Sequence, residues 1–171
     1  MKILLIITFF VVLCSTMSYG QFYTDFNKED INGNDIKLSA FLDKGPVMLG
    51  FWRIWCPMCK EEQRNMQILY EKYKDKRFTY IGVNIDNQKS VSKVKSFVSV
   101  AGYTFPVILD TGKEIFQLYG GSEEAVPYYL IIGKNKNILN THLGYKIGDE
   151  KMIESEILEA LGIHNNPDSS K

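Results

Sequence analysis

Cysteine is scarce in this chain: three residues among 171, at positions 14, 56 and 59. A small scaffold held together by several cross-links would carry more. A zinc centre wants about four Cys or His ligands, and beyond residue 20 only Cys56, Cys59, His142 and His164 are available, the last in a polar tail. No metal is therefore expected. An excess of either charge is missing too. Twenty basic residues balance twenty acidic ones, so the composition gives no reason to expect nucleic acid or an acidic membrane surface as partner. The longest apolar run, Ile3 to Leu13, has eleven residues, too few to span a bilayer as a helix. Lys2 precedes it and Ser18-Tyr19-Gly20 follows with small residues at the first and third places, the pattern of a secretory signal peptide over residues 1–20. Leu13 stands where a lipoprotein leader needs a small residue, which argues against a lipid anchor on Cys14. The expected product starts near Gln21 and is exported, periplasmic and monomeric. It has 151 residues (171 minus 20), enough for one domain with one core. Cys56 and Cys59 alone would then enter an oxidising compartment, which suits working chemistry better than scaffolding.

What is present centres on residues 47–73. Val47-Met48-Leu49-Gly50-Phe51-Trp52 is too short for a helix and reads as a buried strand. Trp55-Cys56-Pro57-Met58-Cys59 follows, and then Met66, Leu69, Tyr70 and Tyr73 recur at helical spacing. The cysteines thus fall where strand becomes helix, and unpaired N–H groups with the helix dipole favour a thiolate at Cys56. Pro57 suits the first helical turn, where an N–H is not needed. Strand, Cys-x-x-Cys and helix together read as a redox pair that can close a disulfide. Half a zinc site and two inert buried thiols are the competing readings. At about 100° per residue Glu62 falls on the stripe of Cys59, Met66, Leu69 and Tyr73, whereas Glu61 points away. A carboxylate there is either a proton acceptor of raised pKa or a rim residue reaching water.

The remaining signals alternate between strand and helix. Residues 21–42 carry short β-like segments, and Asp30-Ile31-Asn32-Gly33-Asn34-Asp35 reads as a hairpin turn, its glycine and acids being misplaced for a calcium loop. Phe78 to Ile85 is a second buried strand, and Val91, Val94, Phe97, Val98 and Ala101 mark a helix with Lys89, Lys93 and Lys95 on its solvated face. Phe105 to Leu109 is a short strand and Ile115 to Tyr119 a short helix. Val126-Pro127 precedes a strand over 128–132, a turn, and a strand over 138–143, which suggests an antiparallel hairpin. Ile153, Ile157, Ala160 and Leu161 form a last helix, with Asp149 as N-cap and Gly162 as its stop. Residues 21–163 form the domain and 164–171 a frayed tail.

With the cysteine motif after a buried strand, and Val126-Pro127 before a hairpin and closing helix, the chain resembles the thioredoxin fold. The N-terminal β segments, and some 40 residues between the second strand and Pro127, are similar to the TlpA/ResA-like branch of thiol-disulfide oxidoreductases. The resemblance implies an α/β fold: a central mixed sheet flanked by helices, with an N-terminal β extension and a strand-helix insertion before a cis proline at Pro127. It implies that Cys56 attacks, that Cys59 resolves, and that the backbone beside Pro127 pairs with a bound peptide. Trp55, Pro57, Met58 and Val126 would border that peptide. Thioredoxin carries a buried aspartate in the central strand where Gly50 stands; the TlpA/ResA-like branch uses a glutamate at the place of Glu62. Arg64 replaces a proline common in the branch, and Arg53 stands where a small residue is usual, either to lower the Cys56 pKa or steer an acidic substrate, or as an exposed arginine with no role.

The implied reaction needs no cofactor beyond the Cys56–Cys59 disulfide. The thiolate of Cys56 attacks a client disulfide, and Cys59, losing its proton to Glu62, resolves the mixed disulfide. Clients are proteins bearing disulfides or thiols, as in cytochrome c maturation, disulfide repair or surface-protein assembly, and a membrane thiol donor would restore the reduced form. An oxidase or isomerase would use the same residues. A thiol peroxidase lacks its sequence context around Cys56. A peptide-binding module with a groove of Trp52, Trp55, Tyr128 and Tyr129 is the reading without turnover.

Overall fold

The computed structural model describes residues 23–122 and 125–163. The expected leader over 1–20 and tail over 164–171 lie outside the described residues. Seven strands are named in chain order: β1 (Asn27–Glu29), β2 (Asp35–Lys37), β3 (Val47–Trp52), β4 (Thr79–Asn84), β5 (Val107–Leu109), β6 (Tyr128–Ile132) and β7 (Ile138–Leu143). Among the described residues five α-helices accompany them: α1 (Leu38–Leu42), α2 (Pro57–Tyr73), α3 (Val91–Ala101), α4 (Glu114–Leu118) and α5 (Glu150–Ala160).

The central sheet runs β5-β4-β3-β6-β7. β3 pairs parallel with β4, and β4 with β5, whereas β3–β6 and β6–β7 are antiparallel. β3 occupies the middle because all six of its residues are buried and apolar or glycine, so both faces of the strand need cover. Alternation sorts them. Met48 and Trp52 join Met66, Leu69 and Tyr73 of α2, Val94 and Val98 of α3, and Ile153 and Ile157 of α5. Val47, Leu49 and Phe51 face the other way, against Leu38 and Leu42 of α1 and Ile115 and Phe116 of α4. Between β4 and Pro127 the chain inserts α3, β5 and α4. β1 and β2 form the expected antiparallel hairpin, whose turn is held by Asp30 accepting from the amides of Asn32 and Asn34.

Three details differ from the sequence reading. Leu38 to Leu42 forms a one-turn helix where wide apolar spacing suggested only β-like structure, because Leu38 and Leu42, four apart, both bury against the sheet. Asp149 occupies the N-cap position of α5 without capping it; its carboxylate accepts instead from the Lys146 amide at 2.9 Å. Trp52 and Tyr129 are fully buried, so they are core and cannot line the aromatic groove.

On the α2 face, β3 and β4 carry no side chain at one shared level, where Gly50 pairs with Gly82. A Cβ on Gly50 would lie 2.1 Å from Tyr80 Oη, and one on Gly82 would lie 3.0 Å from Phe105 and 3.4 Å from both Gln63 Oε1 and Trp52 Nε1. The two glycines are the room those polar groups occupy. Gly50→Ala is expected to destabilise the protein by about 1–3 kcal/mol through overpacking, and Gly82→Ala by less. Urea unfolding of both variants checks the order; an equal or smaller loss at Gly50 would mean that Tyr80 yields freely.

Candidate redox site

Cys56 and Cys59 follow the C-terminal end of β3, beyond the carboxyl ends of the parallel strands β5, β4 and β3, where active groups gather. Cys56 is the N-cap of α2 in extended conformation, Pro57 is in the first turn, and the two cysteines are joined by a disulfide with Cα atoms 5.2 Å apart. The Cys59 amide donates to Cys56 Sγ at 3.0 Å. That free N–H of the first turn is what would hold a negative charge on Cys56 once the bond is reduced. Cys56 is half-buried, whereas Cys59 is fully buried. The outer sulfur borders the solvent-facing cleft and the inner one is closed off from it.

The loop entering the motif is fixed from below. Asp86, buried just past β4, accepts from the Ile54 amide at 2.7 Å and from Asn84 Nδ2 at 2.9 Å. Asn84 Nδ2 also lies 3.3 Å from the Trp52 carbonyl oxygen. Asn84 and Asp86 were not among the residues singled out from sequence, although two polar residues ending an apolar strand are the signal that finds them. A cleft of about 460 Å³ opens beside Cys56, walled by Arg53, Trp55, Asp86, Asn87, Lys113 and Val126 among others. Trp55 is 63% exposed and carries Lys93 Nζ over its ring at 4.5 Å, so this lysine does more than face solvent. Met58, in the first turn of α2, is 42% exposed. The Val126–Pro127 peptide bond is cis, and the Val126 carbonyl oxygen lies 3.9 Å from Cys56 Sγ. Cys56, Trp55, Pro57, Met58, Val126 and Pro127 are thus brought to one end of the sheet.

Glu62 lies on the other side of the disulfide, one turn after Cys59 and fully buried. Burial pushes its carboxyl from an ordinary value near 4.5 up to about 8, and the one opposing influence is a hydrogen bond from Gln63. That bond is long, with Gln63 Nε2 3.5 Å from Glu62 Oε2, and Glu62 Oε1 has no partner among the described residues. Gln63 itself is held by Tyr80, its Nε2 donating to Tyr80 Oη at 2.7 Å and its Oε1 accepting from the same hydroxyl at 3.0 Å. Gln63 was missed from sequence, yet it stands four residues after Cys59 and three before Met66, on the same stripe. Glu61 is half-buried and pairs with Arg64 at 2.5 Å, and α2 runs unbroken past that residue. Among the described residues, no cluster of three or more His, Cys, Asp or Glu could hold a metal ion, and no helix is long and apolar enough to cross a membrane.

Residues 19–141 match the AhpC/TSA family. The thiol-disulfide oxidoreductase ResA of Halalkalibacterium halodurans is 32% identical over 142 residues, covering 83% of this chain and 76% of that protein. ResA of Bacillus thuringiensis is 34% identical over 128 residues, covering 75% and 71%. A crystal structure of a putative thiol:disulfide interchange protein DsbE from Chlorobium tepidum superposes with a TM-score of 0.75 at 30% identity, covering 84% of this chain and 97% of that one.

A carboxyl of raised pKa stabilises the fold below its unfolded value, near 4.5, and the contribution is lost as pH rises through the folded value. Glu62→Gln removes that dependence. The stability of the oxidised variant relative to wild type is therefore expected to rise between pH 4.5 and 8, by no more than about 1.4 kcal/mol per pH unit. Urea unfolding across that range is the measurement; a constant difference would mean that Glu62 ionises at its ordinary pH.

Proposed function

The chain belongs to the AhpC/TSA family as a thiol-disulfide oxidoreductase, and within it we propose an exported, periplasmic reductant of client disulfides. The observation that carries the reading is the contrast along α2: a reachable Cys56 at the helix N-terminus and, one turn inside, a buried Cys59 followed by a buried Glu62. Reduced Cys56 attacks a client disulfide as a thiolate. One client sulfur leaves and a mixed disulfide forms. Cys59 gives its proton to the Glu62 carboxylate and attacks Cys56, so the Cys56–client bond breaks and the enzyme disulfide closes as the client leaves reduced. Glu62 then holds a proton. When a membrane thiol donor attacks Cys56, that proton returns to Cys59 as it leaves. A group titrating near 8 can do both at neutral pH, since its two forms differ little in free energy there.

Trp55 and Val126 wall the cleft beside Cys56 and Met58 is exposed in the first turn of α2, which supports a client-binding role for them; an extended client segment would pair with the backbone at Val126–Pro127. The signal-peptide pattern of residues 1–20 supports export, and the lack of a small residue before Cys14 speaks against a lipid anchor. Clients in cytochrome c maturation or disulfide repair suit this chemistry equally.

Cys59→Ser is expected to accumulate mixed disulfides between Cys56 and client proteins in cells, read as thiol-sensitive adducts on a gel. Their complete absence would count against the two-cysteine mechanism. Direction is decided by the reduction potential of the pair after equilibration with dithiothreitol or glutathione. A value near that of thioredoxin, about −270 mV, is expected; one near that of DsbA, about −120 mV, would make the protein an oxidase.

A further inference from the structure

The hydrogen bonds around Glu62 are unequally shared. Gln63 Nε2 has two N–H donors; one lies 2.7 Å from Tyr80 Oη and the other reaches Glu62 Oε2 only at 3.5 Å. Tyr80 returns its own proton to Gln63 Oε1 at 3.0 Å, so the amide is fastened at both ends to the phenol. The phenol cannot easily move, for its hydroxyl fills the space above Gly50, and its ring meets Phe105 edge-on at 4.7 Å between centroids. A carboxylate would draw a free amide to about 2.9 Å. Here the amide stays back.

We propose that Tyr80 and Gln63 are positioning residues that ration hydrogen bonding to Glu62 and thereby set the pH at which it exchanges its proton with Cys59. The inference rests on the role of Glu62 proposed above. Gln63 stabilises the ionised carboxyl, and Tyr80 limits how far it can do so. The two side chains touch each other, yet their removal acts in opposite directions. Tyr80→Phe releases the amide to close on Glu62 and favours the carboxylate; Gln63→Met deletes the donor at similar volume and favours the acid. The other groups facing Glu62 do not titrate in competition. Tyr80 from β4 and Tyr129 from β6 are both buried phenols held well above their ordinary values by desolvation. Tyr129 donates to Glu156 of α5 at 2.8 Å, and α3 adds apolar Val94 and Val98 to the same core. Cys59 is silent while oxidised.

The test is a carbon-13 NMR titration of side-chain carboxyls in the oxidised protein, with the Glu62 signal assigned by its loss in Glu62→Gln. The midpoint is expected to fall by about one pH unit in Tyr80→Phe and to rise by about one unit in Gln63→Met. The pH profile for reduction of a model disulfide should move with it. A merely structural role would lower stability in both variants and shift neither midpoint. Two unmoved midpoints, or two shifted the same way, overturn the proposal. Should one variant not fold, the direction in the other decides. A wild-type Glu62 midpoint in the ordinary carboxylate range would instead sink the reading of Glu62 itself.

Discussion

Keeping water away from one carboxyl group is the constraint around which the rest of the site is arranged. Glu62 is enclosed by the sheet beneath α2, with Tyr80 and Tyr129 close enough to feel its charge. An acid in such a place keeps its proton well past the pH at which an exposed one would lose it. Cys56, only six residues earlier, has the opposite surroundings: an open cleft, a helix N-terminus and a donated N–H. A dry, enclosed setting for one group and an open, donor-lined one for the other, on a single helix, is the contrast on which the proposed proton exchange relies. Cys59 lies between them.

That contrast holds only if α2 stays where it is. Its C-terminal half is tied to α5 through Glu154, which accepts from Lys72 and from the Tyr73 hydroxyl, both at 2.6 Å. Its middle is tied by Asn65 to the Tyr145 hydroxyl at 2.7 Å. The N-terminal end is set by the loop from β3, which Asp86 holds by the Ile54 amide. None of these contacts touches a sulfur. They fix the height of the disulfide above the sheet and the depth of Glu62 below it.

Much of this was legible in the sequence because the signals are local. The apolar run 47–52 needs no tertiary context to read as the central strand, and a three-residue spacing on a helix is enough to place Glu62 with Cys59. The family resemblance added the mixed sheet, the insertion and the cis proline at the site. What stayed hidden depends on contacts between distant segments. Gly50 read as the absence of an aspartate; that it makes way for Tyr80, thirty residues on, follows only from the pairing of β3 with β4. Gln63 looked like any polar helix residue until its partner was known. Asp86 and Asn84 stand out locally as polar residues ending an apolar strand, but the backbone groups they hold lie 32 residues away and are not given by that pattern. The aromatic groove failed for the same reason, since alternation alone does not say that both faces of β3 and β6 are covered.

The paired glycines also bear on how this site could change over time. A carboxylate at position 50, where thioredoxin carries one, would compete for space with the Tyr80 hydroxyl in this scaffold. Any side chain at position 50 collides with the Tyr80 hydroxyl, and removing that hydroxyl strips Gln63 of its tether. A change at position 50 is thus coupled to position 80 and, through Gln63, to the surroundings of Glu62.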